Sequence, residues 1–414
     1  MAITFRGNLS STRSLIGVCF CASSVAFLGG ITLTWSYYRR KRQQQHAQTH
    51  LWKIVEHSFT GALIYVGDKL NLYEVMWEIT SLHRRRGGCT PEELAMATNF
   101  NERWLREWLS QSAAAGICSY NDKTGRFTMK REYAKFLRGP EQEKESLAGM
   151  FQLLQPLLAR SDATAKSIRT GRGVDYDFGP DVCFAMDRKN KNFFKHKLVK
   201  EIIDKVKIPR TGENLTSLLN RGVNVADIGC GCGSSTIAMA TRFPASHFFA
   251  YELSPRSLEI MRKRVFENGL SNITVCDVSD RGVGDGPMET ERSDEDNVFH
   301  FVYSHDVLHD MANPMSLIHD VKKRLSDDGC WIIVDVECSH SMAENIQMPQ
   351  GALNFGFSCL LCLACASSEE NGECLGTVGF NSKLADTWIK GAGFHFFQKM
   401  KILSKQGNSC FIVA

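Results

Sequence analysis

Hydrophobic residues in the second half of the chain fall in short runs, separated by amphipathic stretches. VADI, HFFAYE, NITVC and VFHFVYS each have the length and composition of a buried strand. Between them, the spacing of apolar residues predicts helices over 235–241 and 255–267. Strands that alternate with helices in this way predict an α/β fold built on a parallel sheet.

The first of these strands ends in a glycine-rich loop. VADIGCGCGSST places Asp227 at the strand end and Gly229, Gly231 and Gly233 in the loop. Glycines allow the backbone to turn sharply and lie flat against a ligand. The loop alone is a weak signal because many nucleotide sites contain one. A tight turn without a ligand is the alternative.

Acidic residues recur at the ends of the next two strands. Glu252 and Asp277 follow Asp227 at intervals of 25 residues, the length of one βαβ repeat. Because parallel strands end at one crevice, the three carboxylates are expected to share a binding site. Glu252 suits a ribose diol and Asp277 an adenine amino group, and no phosphate-binding lysine follows the loop. A helix cap at Glu252 and a solvated turn at Asp277 are the alternatives.

Together with SHDVLHDM at 304–311, these motifs resemble the class I S-adenosylmethionine-dependent methyltransferases over roughly residues 220–414. The resemblance implies a Rossmann-like sheet of seven strands, the last antiparallel, with S-adenosylmethionine as cofactor. GCWIIVDV is then the fifth strand, and GAGFHFFQKMKIL and SCFIVA form an edge hairpin. The cofactor-binding residues that it implies are Asp227, Gly229, Gly231, Gly233, Glu252, Leu253, Asp277, Val278, Ser304 and His305.

The same resemblance implies a catalytic base. In small-molecule O-methyltransferases the segment matching LHDM reads LHDW, and its histidine removes the proton of the acceptor hydroxyl. This places His309 as the base with Asp310 beside it, although Met311 replaces the tryptophan. Asp335 and Glu337 are the candidates for orienting the ring. The alternative is that His309 and Asp310 only begin the next helix.

Residues 51–135 have the pattern of a winged-helix domain. Thr90 and Asn101 are placed to cap two helices, and ICSYNDKTGRFTM predicts a hairpin that turns at 121–125. NLYEV, SQSAAAGI and LHDMANP resemble a largely bacterial family of winged-helix methyltransferases. The mixed charge of the second helix favours dimerisation and pocket lining over DNA binding. A DNA-binding regulator and an inactive cofactor-binding scaffold are the alternative functions.

Residues 136–215 are expected to form a helical lid between this domain and the methyltransferase domain at 216–414. The segment VDYDFGPDVCFAMDRKNKNFF contributes Tyr176, Phe178 and Met186 as candidate substrate contacts. Alternatively, these three side chains belong to the core of the lid. The acceptor is expected to be a small, apolar or aromatic hydroxyl compound.

The first 50 residues form a further segment. Residues 14–38 lack any charge, and RRKR follows them. Such a run is long enough to span a bilayer and predicts a single-pass membrane anchor with the catalytic domain in the cytosol. An organelle-targeting sequence is the alternative.

The charge and the cysteine content limit which ligands and binding partners are expected. The first 50 residues hold six basic and no acidic residues, and the rest hold 43 basic and 45 acidic ones, so a nucleic-acid partner is not expected. The 15 scattered cysteines indicate reduced thiols. The run formed by Cys359, Cys362 and Cys365 is better explained by a buried helix than by a metal site, and no metal is expected.

Overall fold

The computed structural model describes residues 10–82, 87–139, 146–174, 179–278, 298–400 and 407–414. The chain divides into two compact units, Met1–Gly61 and Ala62–Ala414. Helix α1 runs from Ser10 to Lys69, so the boundary predicted at residue 50 falls inside one continuous helix.

The predicted transmembrane helix over residues 14–38 is not supported. Helix α1 continues without a break through the four charged residues at 39–42. Within the described parts of the chain, no helix combines the length and the apolar character needed to cross a membrane.

The winged-helix domain forms as predicted. Its elements are α2 (Leu72–Leu82), α3 (Pro91–Thr98), α4 (Glu102–Ala114), β1 (Cys118–Asn121), β2 (Arg126–Met129) and α5 (Arg131–Leu137). Thr90 and Glu93 form a reciprocal capping box at the start of α3, and Asn101 caps α4. These side chains satisfy backbone N–H groups that helix geometry leaves unpaired, which fixes where each helix begins.

A helical region connects the two domains. Its helices are α6 (Ala148–Leu158), α7 (Ser161–Thr170) and α8 (Gly179–Phe193), followed by a π-helical segment, Phe194–Ile202. A short 3₁₀ turn, Ile203–Lys205, and α9, Leu215–Arg221, lead into the sheet.

The sheet has seven strands. They are β3 (Asn224–Ile228), β4 (His247–Glu252), β5 (Ile273–Asp277), β6 (Phe299–His305), β7 (Leu325–Val336), β8 (Phe397–Met400) and β9 (Asn408–Val413). Their order is β5-β4-β3-β6-β7-β9-β8, and only β9 runs antiparallel to its neighbours. This confirms the predicted seven-stranded sheet with an antiparallel last strand.

Helices cover both faces of the sheet. They are α10 (Ser234–Arg242), α11 (Pro255–Glu267), α12 (Pro314–Arg324) and α16 (Ser382–Gly391), with α13 (Met342–Gln347), α14 (Gly351–Phe357), a π-helical turn (Ser358–Cys362) and α15 (Leu363–Ala366) at the carboxyl edge. Successive strand residues point to opposite faces, so Val225 packs in one core cluster and Ala226 in the other. This burial fixes the register that brings the strand ends together.

Candidate active site

Acidic side chains meet at the carboxyl ends of the parallel strands, as predicted. Strands β4 and β5 pair in a register that places Glu252 opposite Asp277. Asp227 pairs with Ala250 on one side and Tyr303 on the other, so it lies at the centre of the sheet.

The glycine loop depends on glycine for two physical reasons. Gly229, Gly231 and Gly233 have φ values of 63°, 55° and 83°, which side chains rarely adopt. A Cβ at Gly229 would lie 2.5 Å from Val307, and one at Gly233 would lie 2.7 Å from Met261. A Cβ at Gly231 would meet nothing within 4 Å, so this backbone faces open space.

Asp227 is buried beneath the loop. Its Oδ2 accepts hydrogen bonds from Ser235 (2.7 Å) and Thr236 (2.6 Å), both in the first turn of α10. Burial raises the pKa of Asp227 to about 6, although the two hydroxyls act in the opposite direction. The carboxylate therefore fixes the strand end to the helix that follows the loop.

Glu252 holds the same loop from the neighbouring strand. Its Oε2 accepts from the backbone of Gly231 at 2.8 Å, and its Oε1 accepts from Leu253 and Ser254 at 2.9 and 2.8 Å. Burial raises the pKa of Glu252, whereas these three N–H donors lower it. A carboxylate has about four acceptor positions, so one stays available to a ligand.

The other residues predicted to bind the cofactor differ in exposure and in whether they line a cavity. Asp277 is exposed at the end of β5, and Val278 follows with its backbone donating to Glu252. Leu253 is 40% exposed and does not line the cavity. Ser304 also points away from it, because its buried hydroxyl accepts from Trp331 at 3.1 Å.

A cavity lies in front of the glycine loop. Strand ends form one wall, including Asp227, Glu252 and His305. Helix α8 forms the other wall with Met186, Asp187 and Asn190. Of these three residues, only Met186 was predicted from the sequence to lie in the site. Asp187 accepts from Ser234 (2.6 Å) and pairs with Arg264 (2.9 Å), which ties α8 to the glycine loop.

A second cavity adjoins the first. The residues that line both are Met186, Asn190, Asp306, Asp310 and Leu361. Because the two cavities share these walls, a ligand in one can reach a ligand in the other. Met186 thus lies at the junction of the two cavities, whereas Tyr176 and Phe178 lie outside the described residues.

His309 is the histidine that faces the second cavity. It is 2% exposed, and its Nδ1 lies 2.5 Å from Oδ1 of Asp335 at the end of β7. Its Nε2 lies 3.2 Å from Oδ1 of Asp310. Burial lowers the pKa of His309, but the two carboxylates outweigh it and raise the pKa well above the usual value.

Of the two predicted orienting acids, only Asp335 contacts the ring. Glu337 instead accepts from Lys399 at 2.6 Å and from Ser409 at 2.7 Å. A carboxylate on Nδ1 fixes both the ring orientation and the tautomer, which leaves Nε2 directed toward the cavity.

His305 and Asp306 lie where the two cavities approach each other. His305 hydrogen-bonds to Tyr303 (2.8 Å) and packs against Phe193 and Phe194, and burial lowers its pKa. Asp306 has a positive φ of 54°, which is uncommon outside glycine. Its Oδ2 lies 3.7 Å from Lys189 on α8.

Two groups of described residues have ligand atoms within 4.8 Å of one another, a spacing that a metal ion allows: His309 with Asp310 and Cys362, and His309 with Asp306 and Asp335. In each group, His309 also pairs with one aspartate, Asp310 in the first and Asp335 in the second. The predicted buried helix at the three cysteines is only partly correct, because Cys359 is exposed while Cys362 and Cys365 are buried.

The residues in front of the loop suit an adenosyl group that carries no phosphate. Gly231 exposes flat backbone, and Glu252 keeps an acceptor position for a hydroxyl. Asp277 lies one strand further out. By fold and site, the chain belongs to the α/β proteins that bind a nucleoside at the carboxyl edge of a parallel sheet.

Comparisons with known proteins assign the chain to a narrower family. Residues 219–388 match the model described as "Methyltransferase domain", and residues 58–138 match "Rv2258c-like winged HTH domain". The chain belongs to the class I S-adenosylmethionine-dependent methyltransferases that carry an N-terminal winged-helix domain. It is an enzyme of the methyltransferase class, with S-adenosylmethionine as cofactor.

Solved structures share this fold over most of their length. An O-methyltransferase family protein from Burkholderia thailandensis is 14% identical, with a TM-score of 0.62 over 88% of this chain and 97% of that one. Mitomycin 7-O-methyltransferase is 16% identical, with a TM-score of 0.61 over 90% and 99%. Human N-acetylserotonin methyltransferase, solved with S-adenosylmethionine, is 13% identical, with a TM-score of 0.58 over 89% and 97%.

A curated relative matches a short part of the chain. The tRNA (guanine-N(7)-)-methyltransferase of Botryotinia fuckeliana is 39% identical over 59 residues, which are 14% of this chain. The match spans about a fifth of that relative, 21% of its length.

Proposed function

We propose that this enzyme transfers a methyl group from S-adenosylmethionine to a hydroxyl of a small, largely apolar acceptor, with His309 as the general base. The observation that carries the proposal is the His309–Asp335 pair, which lies on the wall of a cavity adjoining the glycine-loop cavity. The O-methyltransferases among the structural neighbours support a hydroxyl acceptor.

We call the second cavity, which His309 faces, the acceptor cavity. Its residues hold the acceptor in place, and one of them accepts the hydroxyl proton. When bound, the cofactor supplies a methyl group whose bond to sulfur breaks as the oxygen–carbon bond forms. The hydroxyl proton passes to Nε2 of His309, and Asp335 stabilises the imidazolium that results. Met186 and Leu361, which line both cavities, exclude water from the junction.

The base must be neutral before it can accept this proton. In the ligand-free protein, Asp335 and Asp310 favour protonated His309. A positively charged ligand in the adjoining cavity disfavours that form, since like charges lower the pKa of a histidine. Cofactor binding is therefore expected to prepare the base.

The test is a panel of phenols, quinols and sterols, assayed with labelled cofactor. We expect a hydroxyl compound to be methylated, and His309→Ala to lower kcat by about 10²- to 10⁴-fold. Calorimetry should give the same cofactor affinity for the variant and the wild type. Labelling of protein or tRNA in place of every small molecule would contradict the proposal, as would a His309→Ala variant of normal activity.

We also propose a homodimer formed through the winged-helix domain rather than a nucleic-acid complex. On α4, Arg103 pairs with Glu107 and Arg106 with Glu102, so the helix lacks a basic face. Analytical ultracentrifugation of the full chain tests the dimer, and a gel shift with genomic fragments tests DNA binding. The four residue blocks 1–50, 51–135, 136–215 and 216–414 stay a proposed division.

A reducing compartment is proposed for the catalytic unit, and the cytosol suits it best. The thirteen cysteines from Cys89 to Cys410 are all free. Membrane attachment through residues 14–38, and the alternative of organelle targeting, stay predictions from the sequence alone. Carbonate extraction and imaging of a C-terminal fusion test both.

A further inference from the structure

The acceptor cavity contains buried oxygen atoms that lack a hydrogen-bond partner in the part of the chain that the structure describes. Oδ1 of Asp306, Oδ1 of Asp310 and Oγ1 of Thr377 are buried without a hydrogen-bond partner among the described residues. All three residues line the acceptor cavity. A buried acceptor that lacks a donor is costly, so a ligand that brings the missing donor binds preferentially.

Asp310 is the most informative of the three. Its Oδ1 lies 3.2 Å from Nε2 of His309, the atom proposed to take the acceptor proton. A hydroxyl placed on Nε2 therefore has Oδ1 of Asp310 within reach of an adjacent group. Two oxygens on neighbouring ring carbons have a comparable spacing, so both hydrogen bonds can form side by side, whereas oxygens on alternate carbons lie farther apart than these two atoms.

The rest of the cavity suits the body of such a molecule. Its apolar side chains include Leu147, Met150 and Met186 from the helical lid, Leu353 and Phe357 from α14, and Leu361 from the π-helical turn that follows. Methionine adapts to irregular shapes and makes favourable contacts with aromatic rings. The cavity thus combines an apolar wall for a ring with a histidine–carboxylate pair at one end.

We infer that the preferred acceptor is an aromatic ring with two hydroxyls on adjacent carbons. One hydroxyl gives its proton to Nε2 of His309 and is methylated, while the other donates a hydrogen bond to Oδ1 of Asp310. The inference rests on the proposed O-methylation. It also implies a single methylation, because with the remaining hydroxyl on Nε2 the methylated oxygen can no longer donate a hydrogen bond to Oδ1 of Asp310.

The experiment compares catechol, resorcinol and phenol as acceptors for the full-length enzyme, first without and then with a chelator. We expect kcat/KM for catechol to exceed the values for phenol and resorcinol by about 10- to 100-fold. The product should carry one methyl group. The chelator excludes a divalent metal that bridges both hydroxyls, so a preference lost on its addition would overturn the role of Asp310.

The variant Asp310→Asn should bring the catechol-to-phenol ratio toward one, whatever happens to the absolute rates. Calorimetry of catechol with enzyme that holds S-adenosylhomocysteine provides a second readout, independent of turnover. Asp386→Asn, on the exposed face of α16, is the matched control and should keep the wild-type ratio.

The outcomes separate this inference from the proposed function. If phenol is methylated and catechol is no better, or resorcinol equals catechol, the adjacent-hydroxyl inference is overturned while O-methylation stands. If the cofactor binds but none of the three is methylated and the wider hydroxyl panel also fails, the proposed function itself is wrong. An unchanged ratio in Asp310→Asn overturns the assignment of the second hydroxyl.

Discussion

Each ring nitrogen of His309 lies beside a carboxylate, and the two carboxylates have different consequences. Asp335 holds Nδ1 at 2.5 Å, where it fixes the ring. Asp310 lies 3.2 Å from Nε2, on the cavity side, where an acceptor can take its place as partner. In the mechanism we propose, the pairing with Asp335 orients the base, and the pairing with Asp310 belongs to recognition of the acceptor.

The pH dependence of the reaction tests the role of Asp335. Because Asp335 and Asp310 raise the pKa of His309 above its usual value, the imidazole stays protonated to a higher pH than an ordinary histidine. We expect kcat/KM to rise with pH, with a midpoint above the pKa of an ordinary histidine. Asp335→Asn removes one stabilising charge, so the midpoint should move to lower pH while kcat falls.

A merely structural role for Asp335 predicts a different result. The variant would then lose activity equally at every pH, and its midpoint would not move. Asp327→Asn serves as the control, because this exposed carboxylate pairs only with Arg210 among the described residues and should leave the profile unchanged.

Glu252 gives a second prediction for a single residue. The variant Glu252→Gln keeps the size of the side chain but loses the charge that accepts from Gly231, Leu253 and Ser254. We expect the affinity for S-adenosylmethionine, measured by calorimetry, to fall by about 10- to 100-fold. Glu259→Gln on the exposed face of α11 should bind normally, and equal affinities for the two variants would remove Glu252 from the site.

The glycine loop is an element whose sequence follows from backbone geometry. Gly229 and Gly269 provide a matched comparison, because their φ values are 63° and 62°. A Cβ at Gly269 meets nothing within 4 Å, whereas one at Gly229 would lie 2.5 Å from Val307.

Both substitutions to alanine should cost stability, and only one should cost function. The left-handed backbone strains either alanine by about 1–2 kcal/mol. Gly229→Ala adds the contact with Val307, displaces the loop and lowers cofactor affinity at least tenfold, whereas Gly269→Ala binds normally. Chemical denaturation and calorimetry measure the two effects, and equal affinities would show that the loop tolerates a side chain at 229.

Elements that depend on local sequence were predictable. The capping box at Thr90 and Glu93, the cap at Asn101 and the glycine loop are each encoded within a few residues. Asp335 was one of two candidates, because only the pairing of β7 with β6 shows which acid reaches His309. Asp187 carried no motif, since its role arises from α8 packing onto the glycine loop.

Leu253 and Ser304, two of the predicted cofactor-binding residues, do not line the cavity in front of the glycine loop. Each lies next to a residue that lines the cofactor cavity, but neighbouring residues on an extended chain point in opposite directions. The hydroxyl of Ser304 accordingly faces Trp331 in the core, and the side chain of Leu253 faces outward. Only the orientation of the strand, not its motif, determines which side chain meets a ligand.

At the scale of the whole molecule, both cavities depend on the placement of α8. This helix supplies Met186, Asp187 and Asn190 to the cofactor cavity. It is held at Arg188, which forms a two-bond ion pair with Asp68, at 2.5 and 2.8 Å. The side chains of the pair are 17% and 7% exposed, so solvent screens it little.

Breaking this pair should therefore affect stability and both substrates together. Arg188→Met leaves the carboxylate of Asp68 without its partner in a nearly buried position, which costs about 3 kcal/mol. We expect the Tm to fall by several degrees and KM to rise for cofactor and acceptor alike. Arg256→Met, which removes a pair that is 47% and 67% exposed, should change neither quantity measurably. A lower Tm with both KM values unchanged would mean that contacts other than Arg188 hold α8 over the cavities.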